Sequence, residues 1–273
     1  MWERLSTTSE AANAVPVRAS SLHLRYPGGV EGLRCVDLEL RPGSLTALIG
    51  GNGAGKSSLL RILGGFLRQT QGSVEIFGWT EPWQNRGGKP ASLRQRVGYV
   101  PQDVTLDPEI TGQETLELMT ALYGVKRQFR AMRVKDLAAA YSIVEVLRHR
   151  VGTWSGGQKQ RLHLAASLIH EPELLLLDEP TAGLDAEGAS LFWQDLRRRN
   201  RNGTTVLVAT HDLEAVFRHA GRVVLLERGQ IVADGSPQDL PKLHGETDLT
   251  ALFLRLGNRE AGNRRGQKKG PRL

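Results

Sequence analysis

The chain has 273 residues, 40% of them hydrophobic, and a formal charge of +7, enough length to bury a sizeable core in one composite domain. Its single cysteine, Cys35, excludes a disulfide framework and any multi-cysteine metal site. No apolar run approaches the ~20 residues that cross a bilayer.

The lead, residues 1–16, is polar, lacks an apolar signal region and reads as a disordered, frayed end. Residues 17–44 and 72–80 alternate apolar with polar side chains, which predicts antiparallel strands. Cys35 falls within the first of these stretches as a small packed or edge residue. Residues 45–49, Leu-Thr-Ala-Leu-Ile, form a short apolar run suited to a strand buried on both faces. Residues 58–63 then carry apolar side chains at helical spacing. Residues 82–91, with Pro82, Gly87, Gly88 and Pro90, read as a surface loop. From about 103 to 160 the chain turns helical. Thr111-Gly112-Gln113-Glu114 is a capping box for a helix through Leu116, Leu118, Met119 and Leu122. A second helix is predicted over 134–148, with Leu137, Tyr141, Val144 and Leu147 on one side, and a third over 157–170. Further parallel strands are predicted at 98–101, 174–178 and 205–210. A hairpin of 223–226 and 230–233 turns at Arg228-Gly229.

Between the strand at 45–49 and its helix lies Gly50-Gly51-Asn52-Gly53-Ala54-Gly55-Lys56-Ser57, a complete G-x-x-x-x-G-K-[ST] phosphate loop. Its glycines let successive N–H groups turn inward on phosphates, and the helix N-terminus adds partial positive charge. Lys56 reaches the β- and γ-phosphates, and the Ser57 hydroxyl holds Mg²⁺. Ser58 follows directly and counts with the loop. The four leucines at 174–177 end in Asp178 and Glu179, at the strand edge where open α/β sheets bind ligands. Asp178 is placed for the Mg²⁺ shell, and Glu179, one residue further out, to polarise an attacking water. The run at 205–209 carries His211 to the same edge.

Trp154-Ser155-Gly156-Gly157-Gln158-Lys159-Gln160-Arg161 offers another anion site: Ser155 caps a helix whose first N–H groups are left open by Gly156 and Gly157. Here the sequence resembles the ATP-binding cassette (ABC) ATPases, whose signature loop is an apolar residue before Ser-Gly-Gly-Gln. This chain has Trp154 in the first place. The resemblance covers roughly 17–240. It implies that Tyr26 stacks on adenine and that Gln102 joins the Mg²⁺ shell and opens a helical subdomain. It also implies that residues 180–185, ending in Asp185, cross to a partner cassette, and that His211 contacts the γ-phosphate. Ser155, Gly156, Gly157 and Gln158 would close on the ATP of a second subunit.

The fold so implied is α/β: a P-loop NTPase core, mainly parallel sheet flanked by helices, with an antiparallel β subdomain and an inserted helical subdomain. The cassette would occupy 17–245, with the helical subdomain at about 103–160, a C-terminal helix at 246–257 and a basic disordered tail at 258–273. In that tail six basic residues stand against Glu260 alone. A solvated tail is the favoured reading, weak contact with anionic lipid the next, and stable nucleic-acid binding is not expected.

A motor of this kind with no membrane span implies a separate transmembrane permease, a second ATPase subunit (identical or not) and a place on the cytoplasmic face of the membrane. Leu122-Tyr123-Gly124-Val125 and the stretch 247–257 are similar to phrases of ABC-2-type exporter ATPases. A small importer cassette of the branched-chain amino acid type is the alternative, followed by a non-transport ABC ATPase acting on nucleic acid or the ribosome.

Overall fold

The computed structural model describes residues 15–80 and 91–258. The lead, the 82–91 loop up to residue 90, and the basic tail from 259 lie outside the described residues.

The central strands explain why the sequence shows unbroken apolar runs instead of alternation. β3 (Leu45–Ile49), β7 (Leu174–Asp178) and β8 (Thr205–Ala209) are buried at every position. Leu174 and Leu176 enter one apolar cluster, while Leu175 and Leu177 enter the cluster on the other face. With no solvent face there is no polar register to keep. These three strands join β6 (Val97–Val100), β9 (Arg222–Glu227) and β10 (Gln230–Gly235) in one six-stranded sheet, ordered β10-β9-β3-β8-β7-β6. All its pairings are parallel except β10 with β9. The 223–233 hairpin is therefore part of the main sheet. Its turn places Arg228 at φ 48 and Gly229 at φ 78, the left-handed pair a tight hairpin needs.

A second, antiparallel sheet has the order β2-β1-β4-β5, from β1 (Val17–Arg25), β2 (Glu31–Leu40), β4 (Gln71–Ile76) and β5 (Trp79–Thr80). Cys35 lies exposed on its edge strand β2, so of its two readings the edge residue holds. α1 (Lys56–Leu63) packs between the two sheets and buries Leu59, Leu60, Ile62 and Leu63. The phosphate loop is thus clamped from both sides.

The chain after β6 is helical, with corrections to the expected bounds. α2 (Ala91–Arg96) precedes β6. α3 (Gly112–Leu122) starts on the expected capping box, with both reciprocal bonds formed. Leu116 is buried, but Leu118 and Leu122 are exposed. The next helix runs earlier than expected: α4 (Arg127–Ala140) ends where 134–148 was to continue. Ser142 takes φ 52, its N–H bonds Ala139 O and the Ile143 N–H bonds Ala138 O. That is a Schellman stop, and it leaves Val144 exposed outside any helix. α5 (Gly156–Ser167), α6 (Ala186–Arg201), α7 (Leu213–His219), α8 (Leu240–Leu243) and α9 (Leu249–Asn258) complete the described helices. α9 is capped by Asp248, which accepts from the Ala251 N–H at 2.8 Å, and buries Leu249, Leu252 and Leu256. Among the described residues no helix is long and apolar enough to cross a membrane.

Candidate functional site

The loop from Gly50 to Ser57 leaves β3 and enters α1 through backbone that only glycine fits at two points. A Cβ on Gly50 would lie 2.2 Å from Leu226 O. Gly55 has φ 108 and Gly32 O only 2.5 Å from an added Cβ. Lys56, the first residue of α1, is buried and donates from Nζ to the carbonyls of Gly50 (2.7 Å) and Gly51 (3.2 Å). Burial pulls its pKa below the usual lysine value, against the opposing pull of Glu179 and Asp178.

Asp178 closes β7 with a relative exposure of 2%. Ser57 hydrogen-bonds its carboxylate, while Asp178 Oδ1 is buried with no hydrogen-bond partner. Burial raises the Asp178 pKa, the Ser57 bond lowers it, and the neighbouring Glu179 raises it further. A buried carboxylate oxygen left without a donor suits a cation. Among the described residues no cluster of three or more His, Cys, Asp or Glu fits a metal. Mg²⁺ asks for less, one or two oxygen ligands from the protein with water and phosphate completing the shell. Ser57 and Asp178 meet that requirement.

Glu179 lies in the left-handed region at φ 47, a conformation costing roughly 1–2 kcal/mol for a residue with a Cβ. Its N–H bonds Ala209 O at 2.9 Å and its carbonyl accepts from the Ala182 N–H at 3.0 Å, which holds the turn. Strain so maintained beside a binding edge is common at functional sites. The Glu179 side chain, 12% exposed, meets His211: Oε2 to Nδ1 is 2.9 Å. His211 itself is 78% exposed. It is set by its neighbours, since buried Thr210 accepts the Asp212 N–H and Asp212 caps α7.

Tyr26 reaches the same region. Its hydroxyl and that of Ser58 are 2.9 Å apart, and its ring lies on the apolar cluster under α1. Gln102 is exposed, two residues beyond Val100, whose register partner is Leu177. It therefore stands at the edge that carries Asp178 and Glu179. Lys56, Ser57, Asp178, Glu179 and His211 are in mutual contact or linked by charge, Tyr26 joins through Ser58, and Gln102 is adjacent by register.

Ser155 and Gln158 stand apart from this group. Ser155 Oγ accepts the Gln158 N–H at 3.2 Å and Gln158 Oε1 accepts the Ser155 N–H at 2.9 Å, a complete capping box on α5. Among the described residues neither bonds the phosphate loop. Trp154 has a packing reason to replace a smaller apolar residue: it is buried against Gly112, where a Cβ would lie 2.5 Å from its ring. Gly156 meets nothing within 4 Å, so its side of the helix N-terminus is open. Asp185 caps α6 through the Gly188 N–H at 2.9 Å and accepts from Arg161 Nη2 at 2.6 Å. The sequence motif contained Arg161 but gave it no role. Its ion pair ties the signature helix to the loop after β7, and no local pattern connects two residues 24 apart.

A family profile described as ABC transporter matches residues 33–182. The daunorubicin resistance ATP-binding protein DrrA3 of Streptomyces coeruleorubidus is 35% identical over 85% of this chain and 72% of its own length. The ABC transporter ATP-binding protein NatA of Bacillus subtilis is 30% identical over 82% of this chain and 90% of its own. The Nod factor export ATP-binding protein I of Burkholderia pseudomallei is 34% identical over 88% and 77%. Among solved structures, the ATP-binding subunit of an ABC transporter superposes with a TM-score of 0.79 at 26% identity, over 88% of this chain and 98% of that one. A dimeric cassette in a post-hydrolysis state bound to ADP and phosphate gives 0.73 at 27%, over 81% and 98%. Profile, relatives and fold agree over most of the described residues: this chain belongs to the ABC transporter family, as an ATP-binding and ATP-hydrolysing subunit.

Proposed function

We propose that the chain is the motor of an ABC-2-type exporter, a peripheral subunit on the cytoplasmic face of the membrane that docks on a separate permease and works as a pair of cassettes. The observation that carries the catalytic part is the convergence of Lys56, Ser57, Asp178, Glu179 and His211 on one sheet edge. Lys56 and the loop N–H groups hold the phosphates of ATP, with Tyr26 against the adenine. Ser57 and Asp178, joined by Gln102, hold Mg²⁺. When bound, Mg²⁺ neutralises phosphate charge. Glu179 Oε2 takes the proton of the attacking water, and His211 orients that carboxylate and faces the γ-phosphate.

Ser155, Gly156, Gly157 and Gln158 are separate from this group within the chain, with Gly156 facing open space. That arrangement supports a site completed by a second cassette, to which Asp185 also reaches. Hydrolysis would remove the γ-phosphate that joins the two faces and let them part. Export is supported by relatives named for drug resistance and for Nod factor export.

The test is crosslinking from single cysteines at Leu106 and Ile110, beside Gln102, in a Cys35→Ser background. Capture of a multi-span membrane protein supports the reading. Capture of a permease that works with a periplasmic binding protein overturns export, and capture of ribosomes or DNA overturns transport.

A further inference from the structure

Far from the phosphate loop, α4 and α6 enclose an open cleft of about 720 Å³, lined among others by Ala140, Leu191, Asp195, Arg197, Arg198 and Arg201. Its position is fixed by Asn200, whose amide donates to Gly43 O and Thr204 O at 2.9 Å each. Those carbonyls precede β3 and β8. The cleft therefore lies at the opposite edge of the sheet from Lys56, with five residues of β3, about 16 Å of strand, in between.

Positions 197–201 hold four arginines, and the carboxylate beside them is that of Asp195. Two of the four are committed to it. Arg199 Nε donates to Asp195 Oδ2 at 2.7 Å and Arg198 Nη2 to Oδ1 at 2.5 Å. The Tyr141 hydroxyl, just past α4, also donates to Oδ2 at 3.1 Å. This buried junction builds one wall of the cleft and fixes it against α4. Arg197 and Arg201 are different. They are exposed, stand one helical turn apart, line the cleft, and have no carboxylate at ion-pair distance among the described residues. Other arginines carry ion pairs, as Arg96 with Glu173, Arg218 with Glu214 and Arg222 with Asp234, while among the described residues Arg41, Arg127 and Arg148 are single exposed arginines that line no such cleft.

Like charges at i,i+4 oppose helix formation. Complementing the C-terminus of α6 asks for one or two cations; its last turn carries three, Arg198, Arg199 and Arg201, and Arg197 stands one turn earlier. The surplus charge faces a space of the size that holds small ligands, and planar guanidinium forks match the oxygens of phosphate.

We propose that this cleft is a second anion site, which binds a phosphate-bearing group between Arg197 and Arg201, with Ala140 and Leu191 as its apolar wall. The shared chemistry is a phosphate oxyanion, from a soluble polyphosphate or from an anionic lipid headgroup.

The test uses the full chain with Lys56→Ala, which weakens the competing phosphate loop, and the same chain carrying Arg197→Glu and Arg201→Glu as well. Inorganic tripolyphosphate is titrated by calorimetry, and flotation is measured with vesicles of phosphatidylglycerol or of phosphatidylcholine. The basic tail is common to both proteins, so only the difference between them counts. Loss of two charge-assisted contacts should weaken binding about tenfold or more. In the otherwise native chain, ATP hydrolysis should be unchanged by the Arg197→Glu/Arg201→Glu pair. An arginine-dependent difference with tripolyphosphate assigns a soluble anion, and one confined to phosphatidylglycerol assigns a headgroup. Equal behaviour of the two proteins in both assays overturns the proposal. Arg197→Gln with Arg201→Gln, which removes charge without reversing it, must show the same loss in a chain of unaltered melting temperature.

Discussion

Glu179→Gln isolates the chemistry of the site from its architecture. The replacement keeps side-chain volume and the left-handed backbone at φ 47. Its amide oxygen still accepts from His211 Nδ1, now 2.9 Å from Glu179 Oε2. What disappears is the basicity of the carboxylate. General-base assistance is worth about 10²–10⁴ in rate, or roughly 3–5 kcal/mol of transition-state stabilisation. The structural cost should be small by comparison, within about 1 kcal/mol, because one neutral hydrogen bond replaces a partly buried charged one. ATP affinity should remain near that of the native chain, since the phosphate contacts of Lys56 and the loop are untouched. Steady-state phosphate release, equilibrium binding of labelled ATP and size-exclusion chromatography with ATP and Mg²⁺ read the three quantities. The expected result is intact binding, turnover reduced at least 10²-fold and accumulation of an ATP-bound dimer. Hydrolysis within a few fold of the native rate would show that another group takes the proton, and the role given to Glu179 would be wrong.

Lys56→Ala should act on binding itself, raising the Kd for ATP, because it removes a buried charge from the phosphates; unchanged affinity refutes the assignment. Ser155→Arg should bind ATP as a monomer yet neither dimerise nor turn over, and mixing it with Lys56→Ala should restore one working site per heterodimer; a heterodimer that forms without activity counts against a shared site. His170 stacks on Tyr123 with ring centroids 3.9 Å apart, and burial, opposed by its bond to Val97 O and aided by Arg199 and Arg133, lowers its pKa from 6.5 to about 4. The unfolded chain takes up this proton as pH falls below 6.5 and the native protein only near 4, so stability is full above 6.5 and declines across that window by at most about 3 kcal/mol. Denaturant titrations at pH 7 and pH 4.5 should show a smaller loss for His170→Gln than for the native chain. Gly124→Ala should destabilise by roughly 1–2 kcal/mol without changing ATP affinity, because Gly124 holds φ 70 at the end of α3; a neutral melting temperature refutes this.

Local chemistry made part of the molecule legible in the sequence. The phosphate loop, the Thr111–Glu114 capping box and the all-leucine β7 each state their structure within a few residues. Gly124 announces the end of α3, with the Val125 N–H on Thr120 O and the Gly124 N–H on Ala121 O. Thus the export-like phrase at 122–125 also has a plain role as a helix stop. The same stop after α4 was illegible, because Ser142 occupies the left-handed position that glycine usually marks. The apolar period continues past it through Val144, so the sequence predicts a helix running beyond the stop at Ser142. Likewise the hairpin signal at Arg228-Gly229 is local, but the parallel pairing of β9 with β3 joins Val223 to Ala47, and nothing at either position names the other. The site's acids and lysine were legible as motifs. The 2.9 Å approach of His211 to Glu179 was not, because it depends on two parallel strands ending level.

Ser155 caps α5 and Asp185 caps α6, while Arg161 from α5 bonds Asp185. Two of the residues proposed to meet a second chain thus start helices, and Arg161 ties those helices together. Capping fixes Ser155 and the N–H groups around it before any partner arrives, which reduces the ordering cost of binding. It also means that removing Ser155 costs about 1 kcal/mol of stability whatever its role across the dimer. Ser155→Asn keeps the cap, since asparagine caps as well as serine, while its longer amide changes the surface beside Gly156. Loss of dimerisation in a Ser155→Asn chain that melts like the native one therefore assigns the effect to the face presented to the partner. Native dimerisation in that chain would assign Ser155 to the helix alone.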